Sequence, residues 1–447
     1  MNLTFDMMAP LMFGGMVIVL LLGYPVAFSL SAVGLGFGIV AIQLGFFDLI
    51  LMQALPERVF GIVSNQLLLS IPFFTFMGAI LERCGLAEEL LDTTGQLFGS
   101  VPGGLAYAVI FVGALLGAIT GTVAASVIAM GMISLPVMMR YGYDKRLATG
   151  VIAASGTITQ IIPPSLVLVV LADAMGRSVG DMYAGAFIPS FILVSLFCAY
   201  VFIVTLIWPD KAPPLPPEAR ATDMGKLFIR VMVSMVPSLA LIFMVLGTVL
   251  IGLATPTEGG AMGAVGALVL AMMHRRLSWK LLKEGMDTTL KITTMVMFIL
   301  VGSTVFSLVF RGVDGDLWVE HLLSDLPGGV TGFLVFVNVF VFFLAFFLDY
   351  FEIAFIIIPL LAPVAEKMGI DLIWFGVLIG VNMQTSFMHP PFGFALFYLR
   401  SIAPPSIKSS EILLGSIPWV FIMLIMVGLV IAFPEMVSLS IKIFGRF

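Results

Sequence analysis

Apolar residues dominate the chain and are grouped in runs of about 20 residues, separated by short polar stretches. A helix needs about 20 apolar residues to cross the roughly 30 Å hydrocarbon core of a bilayer. Further apolar stretches near the middle of each half do not fit ordinary spans. The pattern predicts an all-α polytopic membrane protein with crossings near 10–23, 26–46, 66–81, 147–172, 184–207, 231–252, 257–273, 292–310, 373–398 and 416–434.

The composition excludes most soluble enzymes. Of the 447 residues, 60% are hydrophobic and 11% are charged, whereas soluble domains carry about 25% charged residues. Two distant cysteines and three scattered histidines give neither a disulfide framework nor a zinc motif. The sequence has no glycine-rich nucleotide loop, so energy from nucleotide hydrolysis would have to come from another chain. The first 22 residues lack a basic leader and a cleavage site, so we expect a retained span.

Basic residues predict the orientation and the division of the chain. With the N-terminus outside, the inside loops hold 15 of the 21 Lys and Arg residues and the outside segments hold six. Basic residues collect in cytoplasmic loops, so we favour this orientation over its reverse. The stretch 211–226 is polar and contains two Pro-Pro pairs, and we interpret it as a cytoplasmic linker. The predicted units are a first repeat at 1–210, a linker at 211–230 and a second repeat at 231–447.

The two halves of the chain repeat each other at a spacing of 227 residues. Five pairs keep this offset: Pro136 and Pro363, Gly142 and Gly369, Asp144 and Asp371, Pro163 and Pro390, and Pro164 and Pro391. Each half has five predicted crossings, and because this number is odd the second copy should be inverted in the membrane. Inverted repeats are typical of secondary transporters. The alternative is an ancestral duplication without functional consequence.

In each half, two consecutive apolar stretches cannot be ordinary spans. Both ends of each pair must lie on one side of the membrane for the charge distribution to hold. We therefore predict two re-entrant hairpins, hairpin 1 at about 105–139 and hairpin 2 at about 331–366. Irregular backbone at membrane depth is stable only where protein or a hydrated cavity covers it. Both predicted tips are polar, Thr120-Gly121-Thr122 and Asp349-Tyr350-Phe351-Glu352.

The helix after each hairpin is interrupted by a proline pair, at about 147–172 and 373–398. Proline removes a backbone donor and blocks the carbonyl four residues earlier, so a Pro-Pro pair in mid-span breaks the helix. Freed carbonyls near Thr159 and Ser386, together with the helix ends, could bind a cation on one side and an anion on the other. A kink satisfied by serine and threonine hydroxyls is the alternative. The polar candidates for substrate contact beside the two breaks are Ser155, Gly156, Thr157, Asn382 and Gln384.

Three further charged residues allow two interpretations each. Asp349 and Glu352 lie in an apolar stretch, where carboxylates are costly and commonly functional, yet they could simply cap the returning helix. Arg311 ends the helix before hairpin 2 and could meet a substrate carboxylate or act as an interfacial anchor. We include Arg311 and Glu352 among the candidate substrate contacts. Glu258 follows Thr-Pro-Thr and fits a helix start, so we interpret it as structural.

The chain resembles the large membrane subunit of tripartite ATP-independent periplasmic (TRAP) transporters over essentially its whole length. Four stretches carry the resemblance: GYDKRLATGVIAASGTITQIIPPS, TPTEGGAMGAV, FFLDYFEIAFIIIPLLAPVAEKMGIDLIWFGVLIGVNMQTSF and PPFGFALFYLR. The resemblance implies a sodium-driven uptake system of the bacterial inner membrane, working as an elevator, so the N-terminus that the basic residues predict outside would be periplasmic. It also implies two partners, a small four-helix membrane subunit and a periplasmic substrate-binding protein. The coupling ion would be Na⁺, and no organic cofactor is expected.

The resemblance further places sodium sites between the hairpin tips and the unwound loops. In this sequence the corresponding residues are Thr120, Thr122, Thr159, Pro163, Pro164, Asp349, Thr385, Ser386, Pro390 and Pro391. The first tip departs from the Ser-Gly-Ser of many members. The second tip resembles a subgroup associated with oxo acids, aromatic carboxylates and similar organic acids.

Our main hypothesis is sodium-coupled import of a small organic acid, a carboxylate, delivered by a periplasmic protein. A stand-alone sodium/dicarboxylate symporter of a related elevator fold is the alternative within transport. An intramembrane enzyme would need a nucleophile with a base or a metal triad, and only His389 lies near the polar loops. A continuous channel is disfavoured because paired hairpins and broken helices suit an occluded site better.

Overall fold

The computed structural model describes residues 4–120, 123–220, 223–324 and 326–445, and of Ile119, Thr120 and Met224 only the backbone. All regular structure within these ranges is helical, which confirms the all-α prediction. Short 3₁₀ turns cover Leu49–Ala54, Ile158–Gln160, Pro209–Lys211 and Pro217–Ala219, and a π-helical turn covers Ile353–Ile357. The α-helices are α1 Phe5–Leu21, α2 Val26–Gln43, α3 Leu55–Val63, α4 Ser70–Arg83, α5 Leu86–Leu97, α6 Gly104–Thr120, α7 Val123–Arg140, α8 Lys145–Thr157, α9 Leu166–Ala174, α10 Val179–Ile207, α11 Met224–Leu250, α12 Pro256–Met273, α13 Trp279–Gly312, α14 Gly315–Ser324, α15 Gly329–Leu344, α16 Tyr350–Glu352, α17 Ile358–Lys367, α18 Leu372–Ser386, α19 Phe394–Ile402, α20 Ser409–Ala432 and α21 Glu435–Phe444.

Several helices have the length and composition of membrane spans. Among the described residues, α2, α7, α10, α11, α13 and α20 each pass this test, and α1, α6 and α18 are apolar but shorter. Large apolar side chains also face outward, such as Phe191 and Leu253, which are 75% and 77% exposed. Contiguous outward apolar surface is typical of contact with lipid or with another subunit. These features fit a multi-pass membrane protein.

Close helix packing through small residues holds the α2–α13 and α4–α12 pairs together. A Cβ atom at Gly34 of α2 would lie 3.0 Å from the backbone of Phe306, and one at Gly302 of α13 would lie 2.4 Å from the Ala27 carbonyl oxygen. In the second pair, a Cβ at Gly263 of α12 would lie 2.5 Å from a side chain of α4. Glycines let helix backbones approach closely where lipid leaves no hydrophobic driving force between helices.

The elements of the two halves recur at the spacing found in the sequence. Helices α8 and α18 begin 227 residues apart, as their capping residues Asp144 and Asp371 do. Asp144 Oδ1 accepts two backbone N–H bonds at 3.0 Å, and Asp371 Oδ1 accepts one at 2.7 Å. The glycines that precede them, Gly142 and Gly369, have φ of +78° and +77°. The inversion of the second copy across a membrane stays a prediction.

The linker between the halves lies against the first half rather than apart from it. Gly103 N–H donates to the Ala212 carbonyl at 2.9 Å, and Asp144 N–H donates to the Lys211 carbonyl at 2.8 Å. Helix α11 already begins at Met224, so the non-helical stretch expected through residue 226 was too long, while the division of the chain into two repeats and a linker stays a prediction. Before α11, the described residues of the linker form only short 3₁₀ turns as regular structure.

The two predicted hairpins correspond to α6 with α7 and to α15 with α16 and α17. Helices α6 and α7 pack against each other and against α8, while α15 packs against α18. The returning segments cross over to the other half, because α7 contacts α19 and the π-helical turn contacts α9. Their re-entry into a membrane stays a prediction. The arrangement brings both predicted hairpins and both broken helices into one assembly.

Candidate functional site

The first break separates α8 from α9. Ser165 caps α9, because its Oγ accepts the Val167 N–H at 3.1 Å and donates to the Gln160 carbonyl. Ser190 Oγ of α10 shares its proton between the Ile161 carbonyl at 3.0 Å and the Ala186 carbonyl at 2.7 Å. Two carbonyls in the broken segment are therefore satisfied by serine hydroxyls, as the kink interpretation expects. The predicted residues Pro163 and Pro164 lie in the loop between α8 and α9, and both are buried.

The second break separates α18 from α19. Thr385 Oγ1 donates to the Asn382 carbonyl at 2.7 Å, and Ser386 Oγ donates to the Met383 carbonyl. A hydroxyl that donates its proton in this way keeps its oxygen lone pairs free to accept a bond or to coordinate a cation. Pro390 is half-exposed and Pro391 is exposed at the surface of the loop.

Buried polar atoms without a partner collect at both breaks. Among the described residues, the Ser155 and Thr159 hydroxyls, the Asn382 Oδ1 atom and the whole side-chain amides of Gln160 and Gln384 have no hydrogen-bond partner. All five side chains are at most 1% exposed. An unsatisfied buried polar group costs about 1–3 kcal/mol, and each such group in a native protein needs an explanation. The concentration at the two predicted breaks makes this region the candidate site for a polar or charged ligand.

Glycines allow the first arm of hairpin 1 to touch the first break. A Cβ at Gly113 of α6 would lie 2.6 Å from Ser155 Cβ, and a Cβ at Gly117 would lie 2.8 Å from Thr159 Cα. The predicted residue Gly156 faces α7, where a Cβ would lie 2.3 Å from a methyl group of Val127. Both arms therefore pack directly on the backbone that carries the unpartnered hydroxyls.

The first arm of hairpin 2 meets the second break through two asparagines. Asn382 Nδ2 donates to the Asn338 carbonyl at 2.8 Å and to its Oδ1 at 3.1 Å. Asn338 Nδ2 in turn donates to the Leu334 carbonyl at 2.8 Å. Asn338 follows Gly113 by 225 residues and Asn382 follows Ser155 by 227, so equivalent positions of the two copies make the equivalent contact.

The acidic tip of hairpin 2 forms a helix cap. Glu352 N–H donates to Asp349 Oδ1 at 3.0 Å, and Asp349 N–H donates to Glu352 Oε2 at 2.9 Å. This reciprocal pair is a capping box. Both carboxylates are therefore engaged in capping, the alternative that the sequence left open. Asp349 also lines a cavity, whereas Glu352 does not.

A π-helical turn follows this cap and contacts α13. Ser303 Oγ of α13 donates to the Phe355 carbonyl at 2.6 Å. A π turn shifts the backbone hydrogen bonds by one residue and is frequent at functional sites. The contact joins the returning arm of hairpin 2 to a helix outside the hairpins and the broken helices.

Aromatic side chains of α15 and the turn after it pack against His389 in the second proline loop. The His389 ring stacks on Phe346 with 3.9 Å between centroids and meets Phe342 edge-on at 4.9 Å. His389 is 2% exposed, and neither ring nitrogen has a hydrogen-bond partner among the described residues. The ring therefore packs as an aromatic side chain in this structure.

A cavity of about 250 Å³ lies where the start of α7, the second predicted tip, the second break and α13 meet. Asp349 is the one charged side chain among the described residues that line it. Sequence analysis named Asp349 as a candidate and placed Tyr350 and Phe351 in the second tip, but it missed the other seven because each is apolar or aromatic like the bulk of the chain. The lining residues are Val123, Ala124, Ile292, Met295, Asp349, Tyr350, Phe351, Phe387, Phe394 and Tyr398.

The remaining predicted residues lie in three different settings. Thr157 Oγ1 is already engaged, donating to the Ala154 carbonyl at 2.8 Å. Arg311 is exposed in the last turn of α13, eight residues and therefore about 12 Å along the helix from Ser303. The structure does not bring Arg311 into the lining of the cavity. Thr122 and the side chain of Thr120 lie outside the described residues.

A family model and curated relatives all identify the same transporter family over most of the chain. A family model described as "Tripartite ATP-independent periplasmic transporter, DctM component" matches residues 13–436. The C4-dicarboxylate TRAP transporter large permease protein DctM of Pseudomonas aeruginosa is 28% identical, with 87% of this chain and 89% of the relative covered. The 2,3-diketo-L-gulonate TRAP transporter large permease protein YiaN of Escherichia coli is 26% identical, with 94% and 96% covered.

One relative is longer than this chain. The isethionate TRAP transporter permease protein DctMQ of Oleidesulfovibrio alaskensis is 27% identical, and the match covers 95% of this chain but 65% of the relative. Among solved structures, the Alcanivorax borkumensis YdaH transporter has a TM-score of 0.60 at 14% identity, with 86% of this chain and 88% of that chain covered. Neisseria gonorrhoeae MtrF has a TM-score of 0.57 at 11% identity, with 86% and 83% covered. At these identities the likeness concerns the fold alone.

Proposed function

Because this chain belongs to the DctM component family of the tripartite ATP-independent periplasmic transporters, we propose that it carries a small organic acid across the bacterial inner membrane in symport with sodium. Membership in this family makes it a transporter subunit and not an enzyme. The coupling to sodium, the substrate and the mechanism go beyond membership and are proposed here from the site.

The observation that carries the proposal is the set of unpartnered buried polar atoms at both breaks. The Thr159 hydroxyl and the amides of Gln160 and Gln384 are buried without partners. Oxygen is the ligand atom that hard cations prefer, and hydroxyl and amide oxygens supply it here without a buried charge. Helices α8 and α18 also end at the breaks, and a helix C-terminus carries partial negative charge. Both features favour a monovalent cation at each break.

The substrate is proposed to lie in the 250 Å³ cavity beside the second break. Helix α7 begins there with Val123 and α19 with Phe394. Helix N-termini expose backbone N–H groups and favour anions, so a carboxylate fits this side of the site. Asp349 faces the same cavity, and its charge would oppose the anion unless a cation accompanies it. Ion and substrate binding would therefore depend on each other.

We propose that transport follows an elevator mechanism, in which the predicted hairpins and broken helices move together against the remaining helices. Two of the polar contacts that would have to open join Ser303 of α13 to Phe355 and Asn65 to Asp173 of α9. Asn65 Nδ2 donates to Asp173 Oδ1 at 2.8 Å, from the bend between α3 and α4.

The proposed partners are a small membrane subunit and a periplasmic substrate-binding protein. The longer DctMQ relative, of which this chain covers 65%, supports a membrane partner because its additional length and its name fit a fusion of two membrane subunits. A periplasmic partner follows from the family description, which is tripartite.

The function is tested by uptake in proteoliposomes. The chain, the small membrane subunit and the loaded binding protein, taken from neighbouring genes, are combined with and without an inward sodium gradient. We expect uptake to require all three proteins and sodium. Sodium-independent uptake would refute the coupling, whereas full transport by this chain alone would favour a stand-alone symporter.

A matched pair of serine variants locates the ion. Ser386 and Ser401 each donate to the carbonyl three residues earlier, but Ser386 is buried at the break and Ser401 is exposed on α19. Ser386→Ala should raise the sodium concentration needed for half-maximal uptake, and Ser401→Ala should not. The same sodium dependence in both variants would remove Ser386 from the ion site.

A further inference from the structure

A second cavity lies between α5, hairpin 1 and the linker, and it shares no lining residue with the cavity beside the second break. We propose that it binds a phospholipid whose headgroup carries both a phosphate and a primary ammonium, as in phosphatidylethanolamine. The inference goes beyond the proposed transport function and does not depend on it. It follows from an apolar interior, from an unpartnered hydroxyl inside the cavity and from charges of both signs at its mouth.

The cavity is apolar in its depth and charged at its mouth. It measures about 330 Å³ and is lined by α5, α6, α7 and the linker. Ala108 and Met138 line it and are at most 1% exposed, whereas Glu88, Asp92 and Arg140 line it and are exposed. Ligand pockets of about 300–1,000 Å³ commonly combine apolar walls with a few polar groups that orient the ligand. The division found here suits an amphiphile.

The volume suits the polar part of a lipid and not the whole molecule. At roughly 30 Å³ per water molecule, the cavity corresponds to about eleven waters, which is room for a headgroup with its glycerol backbone. Two long acyl chains would have to leave the cavity. Val137 lines the cavity and is 38% exposed, so the chains can pass over it into the surrounding bilayer.

The Ser134 hydroxyl lies at the cavity without a partner. Ser134 of α7 is 3% exposed, and among the described residues its Oγ makes no hydrogen bond. Two other buried helical hydroxyls, those of Thr94 and Ser190, each donate to the carbonyl four residues earlier. An unsatisfied buried polar group is costly and needs an explanation. An ester carbonyl of a glycerolipid would accept the Ser134 proton and supply the missing partner.

The charges at the mouth match a headgroup that carries both signs. Glu88 and Asp92 lie four residues apart on α5 and so share one face of the helix. Asp92 pairs with Arg230 at 3.4 Å, whereas Glu88 and Arg140 form no ion pair within the described part of the chain. Carboxylates accept hydrogen bonds from an ammonium, and a guanidinium binds a phosphate.

The order of these groups along α7 fits one lipid molecule. Ser134 and Arg140 are six residues apart, which is about 9 Å along the helix. The long Arg140 side chain can shorten this separation to the few bonds that join the phosphate and the ester of a glycerolipid. The phosphate would therefore lie at Arg140, the ester at Ser134 and the ammonium at Glu88.

Other common headgroups match this lining less well. The ammonium of phosphatidylcholine is fully methylated and has no proton to donate to Glu88. Phosphatidylglycerol has no ammonium, and its negative charge would lie beside two carboxylates, where like charges repel. The lining therefore selects a primary ammonium together with a phosphate.

The proposal is tested with the purified, delipidated full chain in detergent, in potassium buffer without organic acid. Phosphatidylethanolamine, phosphatidylcholine and phosphatidylglycerol with identical dioleoyl chains are added separately. Binding is measured from the thermal unfolding midpoint and by native mass spectrometry. We expect phosphatidylethanolamine to raise the midpoint most and to stay bound to the chain. Equal effects of the three lipids, or a larger effect of either of the other two, would overturn the proposal.

Two neighbouring carboxylates of α5 separate the cavity from the rest of the surface. Glu88→Gln should lower the affinity for phosphatidylethanolamine by about threefold and leave that for phosphatidylcholine unchanged. Glu89→Gln is the matched control, because Glu89 lies near His274, at 3.7 Å, and does not line the cavity. Equal lipid affinities in the two variants would overturn the proposed headgroup.

A serine variant tests the interior of the cavity. Ser134→Ala should raise the unfolding midpoint without lipid, because it removes an unsatisfied buried hydroxyl, and should lower the affinity for phosphatidylethanolamine by about fivefold. Ser195→Ala is the control, since Ser195 is exposed on α10 and donates to the Phe191 carbonyl at 2.8 Å, and its lipid affinity should not change. A raised midpoint with full lipid affinity in Ser134→Ala would show that the lipid binds elsewhere and would overturn the site.

Discussion

Replacing Thr159 by valine should raise the unfolding midpoint in the absence of sodium and reduce the increase that sodium produces. Its hydroxyl is fully buried and has no hydrogen-bond partner among the described residues. Thr159→Val has nearly the same shape and the same β-branching, so it removes the oxygen without leaving a cavity or changing the backbone preference. If Thr159 is a sodium ligand, the wild-type hydroxyl lowers the free energy of unfolding without sodium and raises it when sodium is bound.

The expected magnitudes follow from these two states. Without sodium, removing an unsatisfied buried hydroxyl should stabilise the protein by about 1–3 kcal/mol. With sodium, the wild type gains RT ln(1 + [Na⁺]/Kd), about 2.7 kcal/mol when sodium is at 100 times its Kd. The variant should lose most of this gain. Thr159→Val should therefore be the more stable protein in potassium and should gain less than the wild type when sodium is added.

The assay is thermal unfolding followed by tryptophan fluorescence, in sodium and in potassium at equal ionic strength, since the chain has five tryptophans. Thr75→Val is the matched control. Thr75 Oγ1 of α4 is also buried without a partner, but α4 packs mainly on α12, α13, α6 and α5 rather than on the broken helices, and Thr75 does not line the cavity. Thr75→Val should raise the midpoint equally in both salts. If Thr159→Val keeps the full sodium response and behaves like Thr75→Val, Thr159 is not a sodium ligand.

Three further substitutions test other parts of the site. Gly113→Ala should lower the unfolding midpoint because its Cβ would lie 2.6 Å from Ser155 Cβ. Gly428→Ala is the control, because a Cβ there has nothing within 4 Å, and it should raise the midpoint through a helix-propensity gain of about 1 kcal/mol. Equal shifts of the midpoint in both variants would contradict the close packing. Asn338→Leu should destabilise by about 1–3 kcal/mol because it leaves the facing amide short of an acceptor, and an unchanged midpoint would argue against that contact. Asp349→Asn should keep the helix cap, since asparagine caps as well as aspartate, but should weaken the sodium dependence of uptake, and retained sodium dependence would remove Asp349 from the ion site.

The helical breaks could be predicted from sequence because their cause is local. Proline removes a donor wherever it stands, so Pro163 and Pro390 predict the ends of α8 and α18 without knowledge of any neighbour. The same holds for the start of α12, where Thr255 and Glu258 form a capping box, as expected for a structural Glu258. Helix ends and caps of this kind can be predicted from sequence because they depend only on residues that are adjacent in the chain.

The cavity could not be predicted, because its walls come from distant segments. Phe394 and Tyr398 lie on one helix, but Ile292 lies about 100 residues away and Val123 belongs to the other half. In a chain that is 60% hydrophobic, an aromatic residue facing a cavity looks the same as one facing lipid. The short helices α3, α5 and α14 were not predicted, because they are shorter than the apolar runs that indicate a membrane span.

Some residues were ambiguous because one chemistry serves two purposes. Glu352 can bind a substrate group or cap a helix, and only the 2.9 Å bond from Asp349 N–H shows that it caps. Gly113 is one of 45 glycines, and only its approach to Ser155 distinguishes it from the others. Arg311 is polar and near a helix end in the sequence, but its exposure decides against a buried contact in this conformation.

The two copies of the repeat differ at equivalent positions, and under the proposed function both could bind ions but only the second would bind the substrate. At the equivalent contact, the first copy has Gly113 against the unpartnered Ser155, and the second has Asn338 bonded to Asn382. The first break thus keeps free oxygens and contributes no residue to the cavity, while the second supplies Phe387 and leads into α19. Ions can bind at either break, but an organic substrate has room only beside the second. Among the described residues, the start of α7 is the part of hairpin 1 that reaches the cavity, so sodium bound in the first copy can influence the substrate through this segment.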